Sequence, residues 1–230
     1  MTVNKMAVTK DNLTQIIWEI PHNQKMIVVE ELPSLKKKLF YTFFKRLFDI
    51  TVSFLALVVL LIPMAIITLI IALDSPGNPI YVQLRLGLNQ KPFLIFKFRT
   101  MRVDAETDGL RWAEDNDPRV TKIGRFLRHT RLDELPQLVN IFLGQMSFVG
   151  PRPERPEFYD LFDTYISGYR QRMLVKPGLT GLAQVNGGYD LLPEEKIIFD
   201  IDYIKNRSIL LDLKCFFKTV RVVLTGKGTR

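Results

Sequence analysis

Residues 50–73 read ITVSFLALVVLLIPMAIITLIIAL, a run without a single charged side chain. A continuous helix of this length reaches about 36 Å at ~1.5 Å per residue, enough to cross a hydrocarbon core of about 30 Å. Pro63 cuts the run into pieces of about 13 and about 10 residues, each too short to cross. A proline inside a helix removes one hydrogen bond and clashes with the turn before it, so a kink or a reversal is expected at Pro63. Lys36, Lys37, Lys38, Lys45 and Arg46 precede the run, and Arg85, Lys91, Lys97, Arg99 and Arg102 follow it. Lys and Arg accumulate on the cytoplasmic side of membrane segments, so a re-entrant helix that returns to its own face suits two basic flanks. A kinked span is the alternative.

Upstream, Met1–Pro33 is weakly patterned, with short apolar runs at Ile16-Ile17-Trp18 and Met26-Ile27-Val28-Val29 that suit strands or an amphipathic arm. It has no basic n-region followed by an apolar h-region, so nothing there marks the chain for secretion. Downstream, Asp74-Ser75-Pro76-Gly77-Asn78-Pro79 is a turn cluster. Ile80–Arg85 and Pro92–Arg99 then read as two strands joined at Gly87-Leu88-Asn89. A period of two predicts Leu94, Phe96 and Phe98 on one face, with Lys97 and Arg99 on the other. Asp133–Gly144 carries Leu135, Leu138, Val139 and Phe142 at helical spacing, and Pro193-Glu194-Glu195 opens another helix. In Ser208–Leu224 a stripe of Lys214, Lys218 and Arg221 runs beside Leu213, Phe216, Phe217 and Val220. That pattern fits a helix in a membrane interface and equally a surface helix over a core. The expected fold is α+β and mainly helical, with a re-entrant membrane helix broken at a proline, a small β-hairpin and amphipathic interfacial helices.

At 230 residues and 47% apolar composition the chain buries one main core. A net charge of +8 implies polyanionic partners: nucleic acid, an anionic membrane face or phosphorylated substrates. Lys and Arg near a membrane are each worth about 1 kcal/mol, so a membrane face accounts for the charge without nucleic acid. The lone Cys215 excludes an internal disulfide and a multi-cysteine metal site, and fits a reducing compartment. With His22 and His129 as the only histidines, a carboxylate is the expected nucleophile.

Two adjacent carboxylates, Asp133 and Glu134, stand in Arg131-Leu132-Asp133-Glu134-Leu135-Pro136-Gln137-Leu138, where Pro136 requires that a helix has barely begun. Asp133 there fits a carboxylate nucleophile held by first-turn amides, and equally an ordinary N-cap. Lys97, Arg99, Arg125, Arg128, Arg131 and Arg152 are the cations available for phosphate, as phosphoryl transfer requires. Met146–Pro153 is a stiff turn that can aim Arg152. Lys176–Gly181 and Asn186-Gly187-Gly188 are glycine-rich turns able to approach a nucleotide. Asp115-Asn116-Asp117 and Asp200-Ile201-Asp202 fit the metal-binding pair of a UDP-releasing glycosyltransferase, the alternative enzyme. A non-catalytic module binding anionic lipid or nucleic acid is the third reading.

Taken together, Lys45-Arg46-Leu47-Phe48-Asp49, Lys97-Phe98-Arg99-Thr100-Met101, Leu132–Leu138, Met146–Pro153 and Pro177–Asn186 resemble the bacterial sugar transferase family of monotopic phosphoglycosyl transferases. The resemblance runs in order and spacing from about Lys45 to the C-terminus, and is to the compact undecaprenyl-phosphate sugar-1-phosphate transferases, without a multi-span N-terminal region. It implies a two-step reaction. Asp133 attacks the phosphate next to the sugar of a UDP-sugar, UMP leaves, and polyprenyl phosphate collects the phosphosugar. It further implies that Glu134 helps to hold Mg2+, and that Lys97, Arg128 and Arg152 contact phosphate. The implied organisation is an arm of unassigned role over 1–44, a re-entrant helix over 45–74 broken near Pro63, and a catalytic domain over 75–230 that ends in an amphipathic helix. Its implied place is the cytoplasmic face of the bacterial inner membrane, with membrane lipid as a partner, no nucleic acid, and a homodimer left open. Exopolysaccharide, capsule or glycan assembly is the implied setting, and no residue set here reads which sugar is moved. One departure is Gly188, where many members carry arginine after the matching Asn-Gly.

Overall fold

The computed structural model describes residues 27–33, 35, 36, 38–105, 107, 117–188 and 191–225. Ile16-Ile17-Trp18, most of the 1–44 arm, and Asp115 and Asn116 lie outside them.

The apolar run belongs to two helices, α1 (Leu39–Val59) and α2 (Leu61–Asp74), bent by 61° at Leu60. The break falls before Pro63, not on it, because proline's ring and missing N–H act on the carbonyl four residues back, that of Val59. Pro63 itself sits in the first turn of α2. The first helix starts well before Ile50, so the boundary expected between 44 and 45 falls inside a helix. Among the described residues no single helix is long and apolar enough to cross a membrane; the bent pair passes only together.

Three polar side chains within one turn of α1 tie it to the rest. Lys45 Nζ donates to Asp212 Oδ2 at 2.7 Å. Arg46 donates to the carbonyls of Ile141 and Phe142, both at 2.8 Å. Asp49, 2% exposed, accepts from Ser147 Oγ at 3.1 Å and Phe148 N at 3.0 Å. The opposite side of the pair stays uncovered, with Phe54, Leu55, Val58, Val59, Leu61, Ile62, Ile66 and Leu69 all more than half exposed.

Three two-stranded sheets follow. β1 (Ile27–Val28) lies parallel to β5 (Ile166–Ser167), β2 (Ile80–Leu86) and β3 (Pro92–Phe98) form an antiparallel hairpin, and β4 (Ser147–Val149) runs parallel to β6 (Gly178–Thr180). The hairpin pairs without a break from Ile80 opposite Phe98 to Leu86 opposite Pro92, so the alternation holds, while burial is split: Phe93 and Ile95 enter the main core, Leu94 is half exposed, and Phe98 packs with Ile71 and Leu127 in a second cluster. Both faces are partly covered, so alternation alone does not say which side is dry. The free edge of β3 meets α4 (Gln137–Phe142), whose Asn140 accepts from Phe96 N and donates to Leu94 O in place of a third strand. Between them α3 (Lys122–His129) is capped by Thr121, whose hydroxyl accepts from Gly124 N at 2.9 Å. Arg99 is corrected: its guanidinium donates to Asn78 O, Ser75 O and Ser75 Oγ, locking the turn that closes α2.

The remaining helices are α5 (Pro156–Asp163), α6 (Leu182–Asn186), α7 (Pro193–Asn206) and α8 (Ile209–Thr225). Proline opens α7 as the sequence predicts, with Glu195 Oε2 accepting from Leu192 N. The last helix, α8, is apolar on two sides: Cys215 is buried in the core while Leu210, Phe217 and Val220 face out beside Lys214 and Arg221. It covers a core and still presents an apolar outer face, so the two readings of this segment are not exclusive. The fold is thus α+β and mainly helical.

Asp49→Ala leaves the Ser147 hydroxyl and the Phe148 amide buried and unpaired. The expected loss of unfolding free energy is about 1–3 kcal/mol, and a smaller loss is expected for Asp49→Asn, which keeps an acceptor. Denaturant unfolding in detergent measures both; an alanine variant as stable as the parent removes this bond from those that hold α1.

Candidate active site

Strand β3 brings Lys97 to its end, and α3 lies close against the residues that follow it. A Cβ on Gly124 would stand 2.0 Å from Thr100 O, so only glycine permits this approach. Arg128, one turn further on, donates from Nε to Thr100 Oγ1 at 2.9 Å. Arg131 then takes the left-handed conformation, φ 60°, which a non-glycine residue adopts at a cost of about 1–2 kcal/mol. That turn stops α3 and starts the 3-10 turn Leu132–Glu134, which carries both carboxylates into the interior. Asp133 therefore stands before α4 and is not its N-cap; the N-cap is Pro136, without a side-chain bond.

Arg152 arrives from the other side, on the proline-framed turn after β4. Its guanidinium grips Glu134 with both terminal nitrogens, Nη2 on Oε1 and Nη1 on Oε2, the latter at 3.4 Å. Lys97 Nζ lies 3.9 Å from the same Oε1. Asp133, Glu134, Lys97, Arg128 and Arg152 all line one cavity of about 590 Å³, and Arg99 lines it too. That volume suits a nucleotide-sized ligand. Arg131 joins them; Arg125 is exposed and does not.

The two adjacent carboxylates are electrically unlike. Burial raises the Asp133 pKa, the neighbouring Glu134 charge raises it further, and Lys97, Arg128 and Arg152 offset part, leaving it at about 6. Burial also works against the Glu134 charge, but Arg152 and Lys97 outweigh it and hold that carboxyl down at about 2. The two share one field, and the proton of the pair belongs on Asp133, because Glu134 is the one that is ion-paired. Burial, then Arg152, lowers the Lys97 pKa to about 8 despite both carboxylates.

Behind the cavity, Arg172 is buried and donates to Asp200 Oδ2 at 2.6 Å, Tyr169 Oη at 2.6 Å and Arg152 O at 3.0 Å. The Asp200-Ile201-Asp202 pair is thereby divided, since Asp202 is exposed and bonded to Asn206. Asp117 is likewise committed to Arg119 at 2.6 Å. Gly150, Gly178 and Gly181 are explained by backbone crossing: Cβ atoms there would stand 2.1–2.4 Å from backbone atoms of the neighbouring segment. Gly188 does line the cavity, and Arg155 and Lys196 reach it from elsewhere. Arg155 was legible in the alternation of charge and proline over residues 151–156; Lys196, Arg172 and Gln184 carry no local signal.

The profile of the family described as bacterial sugar transferase matches residues 40–226. The Aeromonas hydrophila UDP-N-acetylgalactosamine-undecaprenyl-phosphate N-acetylgalactosaminephosphotransferase is 42% identical over 203 residues, which are 87% of this chain and 48% of that protein. The Klebsiella pneumoniae UDP-glucose:undecaprenyl-phosphate glucose-1-phosphate transferase is 46% identical over 182 residues, 77% of this chain and 39% of that one. The Rhizobium leguminosarum bv. phaseoli exopolysaccharide production protein PSS is 43% identical over 194 residues, 80% of this chain and 97% of its own. The chain spans half or less of the first two relatives and nearly all of the third.

Glu134→Gln removes the neighbouring negative charge that helps to raise the Asp133 pKa, and leaves Lys97 and Arg152 nearer to Asp133 alone. The apparent pKa of Asp133 is therefore expected to fall from about 6 toward the ordinary aspartate range. Carboxyl 13C chemical shifts followed against pH read this directly; an unchanged or higher value contradicts the assignment of charge.

Proposed function

The chain belongs to the bacterial sugar transferase family, and from that premise we propose that it moves a sugar 1-phosphate from a UDP-sugar to polyprenyl phosphate and releases UMP. The observation that carries this reading is the division of labour between adjacent carboxylates: Glu134 is tied down by Arg152 and Lys97, while Asp133 shares their field without being gripped. A carboxylate nucleophile needs to be ionised yet not spent on an ion pair.

In the first step an Asp133 carboxylate oxygen bonds to the phosphorus next to the sugar. The bond from that phosphorus to the UMP oxygen breaks, and UMP leaves with the electron pair. In the second step an oxygen of polyprenyl phosphate bonds to the same phosphorus and expels Asp133, which regains its charge. Lys97, Arg128 and Arg152 stand where they neutralise the transferring phosphate, and Glu134 sets the position of Arg152.

Magnesium fits this donor set as a shared ion. Glu134 would offer a hard oxygen ligand, and among the described residues no group of three or more carboxylate, histidine or cysteine side chains could hold the ion by itself, so it would be shared with the substrate. When bound it supplies charge neutralisation at the phosphates. The UDP-releasing alternative loses support where Asp117 and Asp200 are each committed to an arginine.

We propose further that α1 and α2 enter and leave one face of a bilayer, the cytoplasmic face of the inner membrane. The start of α1 is held by Asp212, through Tyr41 and Lys45, and the end of α2 packs through Ile71 on Phe98 and Leu127. Both ends thus belong to one folded unit, which lies on one side. The residues around the bend, Val58, Val59, Leu61 and Ile62, are apolar and exposed. Burying such surface is worth about 25 cal/mol per Å². Initiation of an exopolysaccharide, capsule or related glycan is the setting that the relatives' names suggest.

Detergent-solubilised protein, polyprenyl phosphate, magnesium and a panel of UDP-sugars, with UMP and UDP assayed separately, test this. UMP release is expected, and Asp133→Asn should lower it by at least about a thousandfold. UDP release, or UMP release untouched by the substitution, overturns the mechanism. Because Asp133 acts ionised and Lys97 protonated, kcat/KM should fall below about pH 6 and above about pH 8. A profile flat across both limits sinks the pair of roles.

A further inference from the structure

Gln184 lines the same cavity as Asp133, and both polar atoms of its side chain, Oε1 and Nε2, are buried without a protein partner among the described residues. A buried amide in that state carries the desolvation penalty of a donor and an acceptor together, which a complementary ligand removes. Its neighbour on α6 is not so placed: Asn186 donates to Leu182 O at 2.8 Å and accepts from Lys218 at 3.2 Å. The fold also makes room for Gln184. A Cβ on Gly181 would stand 2.7 Å from Gln184 Oε1, so glycine there lets the side chain fold back over its own chain.

Topology links this amide to the phosphate clamp. Strands β4 and β6 are parallel, with Val149 opposite Thr180. Arg152 follows β4 and Gln184 follows β6, so both emerge at the same end of the pair and line one cavity. An anionic phosphate at Arg152 therefore has a neutral donor and acceptor within the same enclosure.

We propose that Gln184 hydrogen-bonds an amide or imide group of the donor substrate. This rests on the UDP-sugar reading of the cavity. A UDP-sugar offers that chemistry in two places: the imide edge of uracil, present in every donor, whose adjacent N–H and carbonyl can pair with both side-chain atoms, and the acetamido group of an N-acetylhexosamine, absent from glucose, whose opposed N–H and carbonyl can be met one at a time. Gln184 is thus a specificity residue and takes no part in bond making.

The test is binding, by titration calorimetry on the full chain in detergent or nanodiscs, of UMP, UDP-glucose and UDP-N-acetylgalactosamine to the parent, to Gln184→Met and to Gln184→Asn. Methionine keeps the length and removes the amide; asparagine keeps the amide on a shorter arm. Thermal unfolding checks that each variant is folded. Loss of about tenfold or more in affinity for all three ligands in Gln184→Met, partly recovered in Gln184→Asn, assigns the contact to uracil. The same loss confined to UDP-N-acetylgalactosamine, with UMP and UDP-glucose unchanged, assigns it to the acetamido group. Folded Gln184→Met that binds all three within about twofold of the parent overturns the proposal and leaves the donor reading standing. A parent chain that binds none of the three sinks the donor reading itself, and this inference with it.

Discussion

One turn of α1 holds the arrangement together. Arg46 and Asp49 are polar residues in a helix otherwise given to apolar surface, and each faces the folded unit. Arg46 closes the carbonyl end of α4, where the helix dipole is negative and a cation is favoured. Asp49 fixes β4 by accepting from Ser147 and Phe148. The helix α4 directly follows Asp133 and Glu134, and β4 directly precedes the turn that carries Arg152. Both arms of the site are therefore referred to the same few ångströms of α1. Burial works against the Asp49 charge even with its two donors, and leaving those donors behind unpaired costs more, so the helix cannot slide along the domain without breaking the site's frame.

That frame explains how two neighbouring carboxylates acquire opposite characters. Glu134 receives Arg152 from one side and Lys97 from the other, and stays charged although it is buried. Asp133 is buried beside that fixed negative charge, and its pKa rises in consequence. The asymmetry comes from the direction in which Arg152 is aimed, not from the two residue types. The aim is itself set from behind, where Arg172 donates to the Arg152 carbonyl while paired with Asp200. Removing one partner from a buried ion pair costs far more than the pair contributes, which makes the Arg172–Asp200 contact a firm backing for the Arg152 backbone.

The carboxylate pair beside Pro136 and Arg152 between its prolines stood out locally, whereas the choice of Lys97, Arg128 and Arg152 among the available cations came from the family resemblance. What escaped was set by partners distant in sequence. Alternation placed Lys97 and Arg99 on one face and both line the cavity, but it did not show that the Arg99 guanidinium is taken up by the turn at Ser75. Pro63 was recognised as the breaker, yet its effect falls on the preceding turn, so the bend lies at Leu60. The glycines of the 176–181 stretch read as a nucleotide-approaching loop; they are there because Gly150 crosses them. That Gln184 has unpaired atoms is a fact about everything around it, and no window of sequence contains that.

The net charge illustrates the same limit from the other direction. As a composition, +8 is explained by an anionic membrane face. In the fold, Lys97, Arg128, Arg131, Arg152, Arg155 and Lys196 instead converge on one cavity whose carboxylates are Asp133, Glu134 and Glu154. Cations held close in a partly enclosed, low-dielectric space are costly, and the lowered Lys97 pKa registers burial first and the neighbouring Arg152 charge second. Much of the positive charge is thus gathered in one cavity, where it would meet the phosphates of the proposed donor. The exposed residues around the bend between α1 and α2, Val58, Val59, Leu61 and Ile62, carry none. Exposed apolar side chains run along α1 from Leu39 to Val59, and Arg46 and Asp49 stand between them on the side that meets the folded unit.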